Sequence, residues 1–592
     1  MDNQRLLVWA TFGMLLWFTY QAWNQDHGAV PVSQQQNTDE TLTLPADDAS
    51  LPELPDTTSD SAVDAPQIEA ATPTLDGQAE TTTQSDDAMI RVVTDVLELE
   101  ISTRGGAIQR AIIRNYPVAK DRPDTLIELL SSSSTRMAII QSGLRAAGEA
   151  AEPNHLVVFD APAREFELNG DEIVVPLTWT DGQGITVEKE IRVSRGSYRV
   201  DISQRIINDS DTDWRGAEYA QLLRHSEEVE RSMFNVDTYS FDGPIIYDGD
   251  KSEKLKRDDL LSDGPVSLTA QGGWTGGIEH HFLAVIVPPA EGDYRYSVSA
   301  RGNASTSSTI GPAVLVPAGT EHTFTTAIFV GPKLQSQLEE LDESLKLTVD
   351  YGWLTIISQP LFWLLSMVYS FVSNWGVAII LVTVLIKAVF YKLTEASGRS
   401  MAKMREIQPR MKALQDRYKD DRQALSQAMM ELYKREKVNP AAGCLPILIQ
   451  MPFFLAFYWV LLESVEMRQA PFALWITDLS SRDPYFILPI IMGAAMLFQQ
   501  KLNPAPADPV QAKVMQVMPI VFTGFFAFFP SGLVLYWVTN TLLSIAQQWY
   551  INKIVHEEAA ARKGKKKNKD KNKDKDKDKD KDKDKDKNNE EE

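Results

Sequence analysis

Charge is divided unevenly along this 592-residue chain, and that division constrains the fold more than any other feature. Residues 24–375 hold 55 Asp and Glu against 25 Lys and Arg, a net charge of −30, whereas the whole chain carries −22. The remainder is therefore basic, at +8, and it contains nearly all the long apolar runs. An acidic block and a basic, apolar block on one chain indicate a protein that occupies two aqueous compartments with a membrane between them.

The first apolar run covers residues 6–23, after Arg5 and before acidic sequence. A removed signal peptide is the alternative to a retained anchor, but it would need a small-x-small cleavage site, whereas this run ends in Gln21-Ala22-Trp23. We therefore expect a transmembrane anchor over residues 1–23 with a cytoplasmic N-terminus. Residues 24–89 contain fourteen acidic and no basic residues, which predicts a disordered acidic linker.

Short β-branched runs such as ITVEKEIRVS and YRVDISQRIIND dominate residues 90–330 and predict an antiparallel β-sandwich. Residues 334–347 then predict an amphipathic helix, so the domain covers residues 90–348. Six of the seven histidines lie at or before His322, including His280-His281, which raises the hypothesis of an enzyme. The chain has no HExxH or GxSxG motif and one cysteine, Cys444, so we expect neither catalysis nor a cofactor or metal.

Five apolar spans follow, at about 375–393, 445–462, 485–498, 514–529 and 533–548, preceded by a predicted interfacial amphipathic helix at 351–373. The predicted fold class is a polytopic α-helical membrane protein with six transmembrane helices, counting the anchor, and a large all-β periplasmic domain. The five-span core covers residues 374–550. Several apolar stretches are shorter than the roughly 20 residues that a bilayer requires, so either the bilayer thins around them or polar residues lie at membrane depth.

Five polar residues within these spans are candidate site residues: Thr383, Lys387, Gln450, Tyr536 and Asn540. Thr383 and Lys387 are four residues apart and share a helix face. The last span carries a polar stripe with spacings of four, four and three, formed by Tyr536, Asn540, Ser544 and Gln547. An unpaired lysine within a span costs about 2.5 to 3.5 kcal/mol, so Lys387 should face a polar cavity. The alternative is a lysine that reaches the membrane surface along its aliphatic stem.

Residues 396–437 predict a basic helical hairpin with an apolar seam. Five methionines suit a pliable surface for capturing varied apolar substrates: Met401, Met404, Met411, Met429 and Met430. Packing within the hairpin is the alternative explanation for them. The tail, residues 551–592, is rich in Lys and Asp and is predicted to be disordered.

Several strings resemble the YidC/Oxa/Alb family of membrane protein insertases, and in particular its Gram-negative members: YGWLTIISQPLF, KVNPAAGCLPILIQMPFFLAFYW and MPIVFTGFFAFFPSGLVLYW. The resemblance implies a β-supersandwich, similar to sugar-mutarotase folds but without an enzymatic role. It also implies a hydrophilic groove that carries a basic residue on the second span and is closed toward the periplasm. Lys387 stands where the family usually has arginine, and Lys392 where it usually has proline, which puts the bend there in doubt.

By the same likeness, Thr383, Gln450, Tyr536 and Asn540 would line the groove. The implied function is insertion and chaperoning of inner-membrane proteins, alone or with the Sec translocon (SecYEG and SecDF). Implied partners are nascent membrane proteins and the lipid bilayer, with the ribosome and the signal recognition particle pathway as further candidates. We expect a multi-pass protein of the bacterial inner membrane with both termini in the cytoplasm.

Two rival functions differ in what they require. A small-solute or ion transporter would need a path through both leaflets and often has internal repeats, which this sequence lacks. A membrane-anchored sugar-processing enzyme would need a cleft with convergent carboxylates and histidines in the β-domain.

Overall fold

The structure is a computed structural model that describes residues 88–148, 150–225, 240–418, 421–436, 438, 445–502 and 509–558. The predicted anchor, nearly all of the acidic linker and most of the Lys/Asp-rich tail lie outside the described residues.

The described part of the chain between Met89 and Pro332 is built from short strands. These strands are β1 Met89–Val93, β2 Leu97–Ser102, β3 Ile108–Ala119, β4 Arg122–Leu130, β5 Ala138–Ala146, β6 Glu165–Glu167, β7 Glu172–Thr180, β8 Ile185–Ser194, β9 Arg199–Asn208, β10 Trp214–His225, β11 Gly243–Tyr247, β12 Ser252–Lys254, β13 Val266–Ala270, β14 Trp274–Ile278, β15 Phe282–Val287, β16 Tyr294–Arg301, β17 Ala304–Ile310, β18 Val314–Val316 and β19 Thr320–Pro332.

The strands form two large sheets. The first has eleven strands in the order β13-β16-β17-β10-β5-β3-β2-β1-β6, with β18 paired to β10 and β4 paired to β3. The second has eight strands in the order β12-β11-β14-β15-β19-β9-β8-β7. Apart from the parallel pair β1–β6, the described pairings are antiparallel, as the sequence predicts.

The hydrophobic core of the β-domain follows from the alternation of apolar and polar residues along the strands. Along β8 and β9 nearly every second residue is buried, including Val187 and Ile202. Because side chains on a strand alternate between its two faces, this pattern buries one face of the sheet. Trp214, Trp274 and Phe159 are the bulky side chains that fill the resulting core. The predicted β-sandwich is thereby confirmed.

Helices make up most of the described chain after the β-domain. They are α1 Arg257–Asp263, within the β-domain, α2 Gln335–Leu341, α3 Thr355–Val372, α4 Trp375–Val389, α5 Tyr391–Arg417, α6 Arg422–Glu436, α7 Leu445–Glu463, α8 Ile487–Leu502, α9 Pro509–Phe526 and α10, residues 531–558.

The helix predicted over residues 334–347 is shorter than expected and ends at Leu341. Asp342 there is extended, at φ −158°, and its carboxylate accepts a hydrogen bond from the backbone N–H of Ser344. This cap starts a 3₁₀ helix, Glu343–Thr348, in place of a continued α-helix.

Span lengths differ from the six-span prediction. Among the described helices, Gly352–Val372 is long and apolar enough to cross a membrane by length and composition, with 21 residues. Trp375–Val389 and Tyr391–Arg417 meet that criterion only together, across a bend of 68°. Ile449–Glu463, Ile487–Leu502 and Lys513–Phe526 are shorter apolar helices. The six spans, and the interfacial position predicted for α3, stay predictions.

The β-domain docks on the segment between α7 and α8. Arg468 donates hydrogen bonds to two consecutive carbonyl oxygens of the β3–β4 hairpin, those of Pro117 and Val118, each at 3.0 Å. On the other side, His280 and His281 each lie with Nε2 within 3.1 Å of the carbonyl oxygen at the end of α7, that of Leu462. These contacts hold the β-domain against one end of the helical part.

Candidate functional site

A cavity of about 330 Å³ lies at the end of the helical part opposite to the β-domain. It forms where the C-terminal end of α4 meets the N-terminal half of α7, the C-terminal half of α8 and the middle of α10. The lining residues are Lys387, Thr394, Ser397, Gly398, Met401, Gln450, Met451, Phe454, Met496, Gln499, Tyr536, Trp537, Asn540, Thr541, Ser544, Gln547, Gln548 and Ile551.

Lys387 is the cation of this cavity, and it is partly buried. Its Nζ donates to Ser544 Oγ at 2.8 Å and to Gln450 Oε1 at 3.4 Å. Among the described residues that line the cavity there is no aspartate or glutamate. The ammonium group is therefore held by neutral acceptors alone, and its positive charge is not neutralised by the wall.

Amide and hydroxyl side chains continue the polar wall on both sides of Lys387. The Nε2 of Gln450 donates to Oδ1 of Asn540, which joins α7 to α10. About two turns further along α10, Gln547 Nε2 donates to the hydroxyl oxygen of Thr394 on α5 at 2.6 Å. Three helices are thus linked through hydrogen-bonding groups that could also serve a polar guest in the cavity.

Aromatic rings also line the cavity, at Phe454, Tyr536 and Trp537. Tyr536 is stacked on Phe457, with ring centroids 4.4 Å apart, and Trp537 meets Phe454 edge to face at 4.5 Å. The lining therefore combines polar and apolar side chains, a combination that accommodates a chain with both kinds of side chain.

Thr383 differs from the other four candidate groove residues, because it is not among the residues that line the cavity. It is 1% exposed, and its hydroxyl donates to the carbonyl oxygen of Ile379 in its own helix at 2.6 Å. A buried threonine in a helix commonly satisfies its hydroxyl in this way. The structure brings Lys387, Gln450, Tyr536 and Asn540 together and leaves Thr383 in packed surroundings one turn away.

The end of the helical part nearer to the β-domain is filled. Gly376 at the start of α4 has the ring of Phe472 so close that a Cβ would overlap it. Trp375 stacks on Tyr369 with centroids 4.1 Å apart, and Leu479 and Leu533 are buried beside them. In the described residues, the polar cavity thus opens at one end of the helices and stops against an apolar core at the other.

The bend next to Lys387 forms without a proline. The helix breaks at Phe390, and α4 and α5 meet at 68° with Lys392, not proline, two residues after the break. The backbone N–H of Phe390 still donates to the carbonyl oxygen of Ile386 at 3.1 Å, so the break falls after the last turn of α4. The bend that Lys392 put in doubt is therefore present.

The five hairpin methionines do not share one surface. Met411 is buried in the seam between α5 and α6, and Met404 and Met429 pack against the same cluster. Met430 is 55% exposed, and Met401 lines the cavity. Packing within the hairpin therefore accounts for three of them, and Met401 and Met430 lie outside that seam.

The histidine pair His280-His281 serves the docking contact described above, and the two rings stack with centroids 3.8 Å apart. Among the described residues, no group of three or more His, Cys, Asp or Glu side chains is placed to hold a metal ion. Sequence patterns do not indicate this docking role, because the partner carbonyl lies about 180 residues away.

Comparison with known proteins assigns both halves of the chain. A family model described as 60Kd inner membrane protein matches residues 367–558, and one described as YidC periplasmic domain matches residues 89–364. A membrane protein insertase YidC of Thioalkalivibrio sulfidiphilus is 45% identical over 577 residues, covering 95% of this chain and 100% of the relative. Its counterpart in Methylococcus capsulatus is 46% identical over 568 residues, with the same coverage of 95% and 100%.

Among solved structures, the crystal structure of an active YidC insertase with its first transmembrane domain resolved aligns over 79% of this chain and 95% of that chain. The identity is 18% and the TM-score 0.36, which is too low to add to what the sequence relatives show.

Proposed function

This chain belongs to the YidC family of membrane protein insertases, and we propose that it inserts its substrates through the cavity around Lys387. The observation that carries this proposal is the cation itself: an ammonium group among neutral acceptors, in a cavity that is closed at one end. The family is one of inner-membrane insertases rather than of enzymes in the usual sense.

Charge supports an orientation for the cavity. Residues 24–375 and 463–484 together carry −32, whereas the rest of the chain carries +10. With positive charge inside, the β-domain is periplasmic, both termini are cytoplasmic and six spans cross the membrane. The cavity end of the helices, which continues into the basic hairpin α5–α6, then faces the cytoplasm.

An acidic translocated segment is the guest that this cavity fits. A carboxylate at about 4 Å from the ammonium gains up to about 4 kcal/mol at an effective dielectric constant of 20, and less where water enters. Gln450 and Asn540 offer further hydrogen-bonding groups, which lowers the cost of removing the segment from water. An inside-negative potential then favours outward movement of each negative charge by about 2.3 kcal/mol per 100 mV.

Lipid takes up the apolar part of the substrate. By the family resemblance, the third and fifth spans, α7 and α9, offer the substrate an apolar surface; Met451, Ile520 and Phe525 are exposed on them. A substrate helix that slides along this surface leaves water for lipid, and burial of its apolar area supplies the driving force.

The hairpin and the partners complete the proposal. Exposed Met430 and the basic helices α5 and α6 suit first contact with an emerging nascent membrane protein. Cooperation with SecYEG and SecDF, and delivery by the ribosome and the signal recognition particle, are proposed from the family resemblance alone. A transporter would need the cavity to continue through the periplasmic end, where the described side chains of Trp375, Phe472 and Leu479 pack together.

Site-specific photocrosslinking tests the proposed path. A crosslinking amino acid at Gln450 or Asn540 should capture stalled nascent membrane proteins, whereas the same group at Ile379 or Val382, in the packed half of α4, should not. Equal capture at all four positions, or capture only at Ile379 and Val382, would place the substrate elsewhere.

A further inference from the structure

Ser544 on α10 is the closest hydrogen-bond partner of the cavity cation. Its Oγ lies 2.8 Å from Lys387 Nζ, against 3.4 Å for the Oε1 of Gln450. No ion pair joins Lys387 to any of the described residues at the cavity, so these two neutral contacts fix where the ammonium group sits.

The hydroxyl of Ser544 has a defined direction. It donates its proton to the carbonyl oxygen of Asn540, one turn earlier in the same helix, at 2.7 Å. Because the single O–H is used there, the lone pairs of Oγ are left to accept from the ammonium group. Ser544 is therefore an acceptor for Lys387 whose orientation is set by its hydrogen bond to the backbone of α10.

A lysine needs such a partner more than an arginine would. The ammonium group is a point charge on a flexible four-carbon stem, whereas a guanidinium offers a planar fork of five donors. Lys387 lies in the last turn of α4, next to the bend at Phe390, where its stem could also extend toward the cytoplasmic surface. An acceptor on the facing helix retains the charge inside the cavity.

We infer that Ser544 is a positioning residue for insertion: it holds the Lys387 ammonium in the cavity with one N–H left to bind a carboxylate of the substrate. Two of the three N–H groups point to Ser544 and Gln450, so a third is available to a guest. The inference rests on the proposed function and adds the residue that makes a lysine effective at this position. Substrates with acidic translocated segments should depend on Ser544, and neutral ones should not.

Insertion into vesicles that contain the purified full chain tests this inference. Two single-span substrates are compared by protease protection, one with an acidic translocated tail and one with the acids replaced by their amides. Ser544→Ala should lower insertion of the acidic substrate about tenfold, as expected for losing a hydrogen bond to a charged group, and leave the amide substrate within twofold. Ser544→Thr keeps the hydroxyl and should restore the acidic substrate.

Ser370→Ala on α3 is the matched control. The substitution also removes a hydroxyl that donates to a carbonyl oxygen of its own helix, because Ser370 Oγ donates to the carbonyl oxygen of Met367 at 2.7 Å. Ser370 lies away from the cavity. The substitution should leave both substrates unchanged.

The Ser544 and Lys387 variants together separate failure of the role of Ser544 from failure of the proposed function. Equal loss of both substrates in Ser544→Ala, or no rescue by Ser544→Thr, would show a structural role and overturn the inference. If Lys387→Met lowers the acidic substrate but Ser544→Ala does not, the inference alone fails. If Lys387→Met also leaves the acidic substrate intact, the proposed use of the cavity charge fails as well.

Discussion

Replacing Glu218 with glutamine should remove a pH-dependent part of the stability of the β-domain. Glu218 lies on β10, is 3% exposed, and accepts hydrogen bonds from Tyr294 at 2.7 Å and Thr326 at 2.9 Å. Burial, which outweighs these two hydrogen bonds, raises the pKa of its carboxyl from 4.5 to about 7. Between these values the folded domain holds a proton that the unfolded chain releases, so the free energy of unfolding falls as pH rises.

The magnitude follows from the size of the pKa change. The stabilisation is complete below pH 4.5 and lost as pH rises through about 7. A change of roughly 2.5 units corresponds to about 3 kcal/mol at pH 8, because each unit is worth about 1.36 kcal/mol. Glu218→Gln keeps the size of the side chain without its charge. Its stability relative to wild type should therefore improve by about 3 kcal/mol between pH 4.5 and pH 8.

Hydrogen exchange of the β10 amides in the full chain measures this difference. Burial lowers the pKa of nearby His155 to about 4, so His155 gives the opposite slope, but it is present in both proteins and cancels in the comparison. Glu321→Gln, at a more exposed carboxylate paired with Arg205, is the matched control for replacing a carboxylate with an amide. A Glu218→Gln difference that is the same at pH 4.5 and pH 8 would refute the reasoning.

Three further perturbations test the architecture around the cavity. Arg468→Gln removes the charged donor to the β3–β4 hairpin and should speed hydrogen exchange at the hairpin tip about tenfold or more, and unchanged exchange would contradict a docked β-domain. Gly376→Ala inserts a methyl group against Phe472 and should destabilise the closed end of the helical part by about 1 to 3 kcal/mol. The melting temperature in lipid should fall, and an unaltered melting temperature would show that this end is loosely packed. Met411→Ala should destabilise the hairpin by about 2 kcal/mol and increase its proteolysis, whereas Met430→Ala, at an exposed position, should not. Equal proteolysis of the two variants would show that Met411 is not packed between α5 and α6.

Local patterns predict much of this fold, because the alternation along β8 and β9 is set by neighbours in sequence. Where a distant or capping group decides the structure, the sequence pattern fails. Asp342 ends α2 by capping the next turn, which a count of apolar spacings does not register. The docking of His280 and His281 depends on a carbonyl about 180 residues away, so no local pattern could indicate it.

The candidate site was predictable in its chemistry and less so in its geometry. Unpaired polar side chains in apolar helices must find polar surroundings, and Lys387, Gln450 and Asn540 do meet at one cavity. Thr383 shares the helical face of Lys387 but lies one turn deeper, where the helices pack closely and its hydroxyl bonds its own backbone. Ser544 could be found only as part of a stripe, because its contact with Lys387 crosses between α4 and α10.

Charge reversal at Lys387 tests the central claim most directly. Lys387→Glu and the neutral Lys387→Met are reconstituted, and insertion is measured for two substrates that differ only in whether the translocated tail is acidic or basic. If the charge attracts the acidic tail, Lys387→Glu lowers insertion of the acidic substrate by about tenfold or more and spares or improves the basic one. Lys387→Met should fall between wild type and Lys387→Glu for the acidic tail. Unchanged insertion of the acidic substrate by Lys387→Glu would show that the charge at Lys387 does not act on the translocated segment.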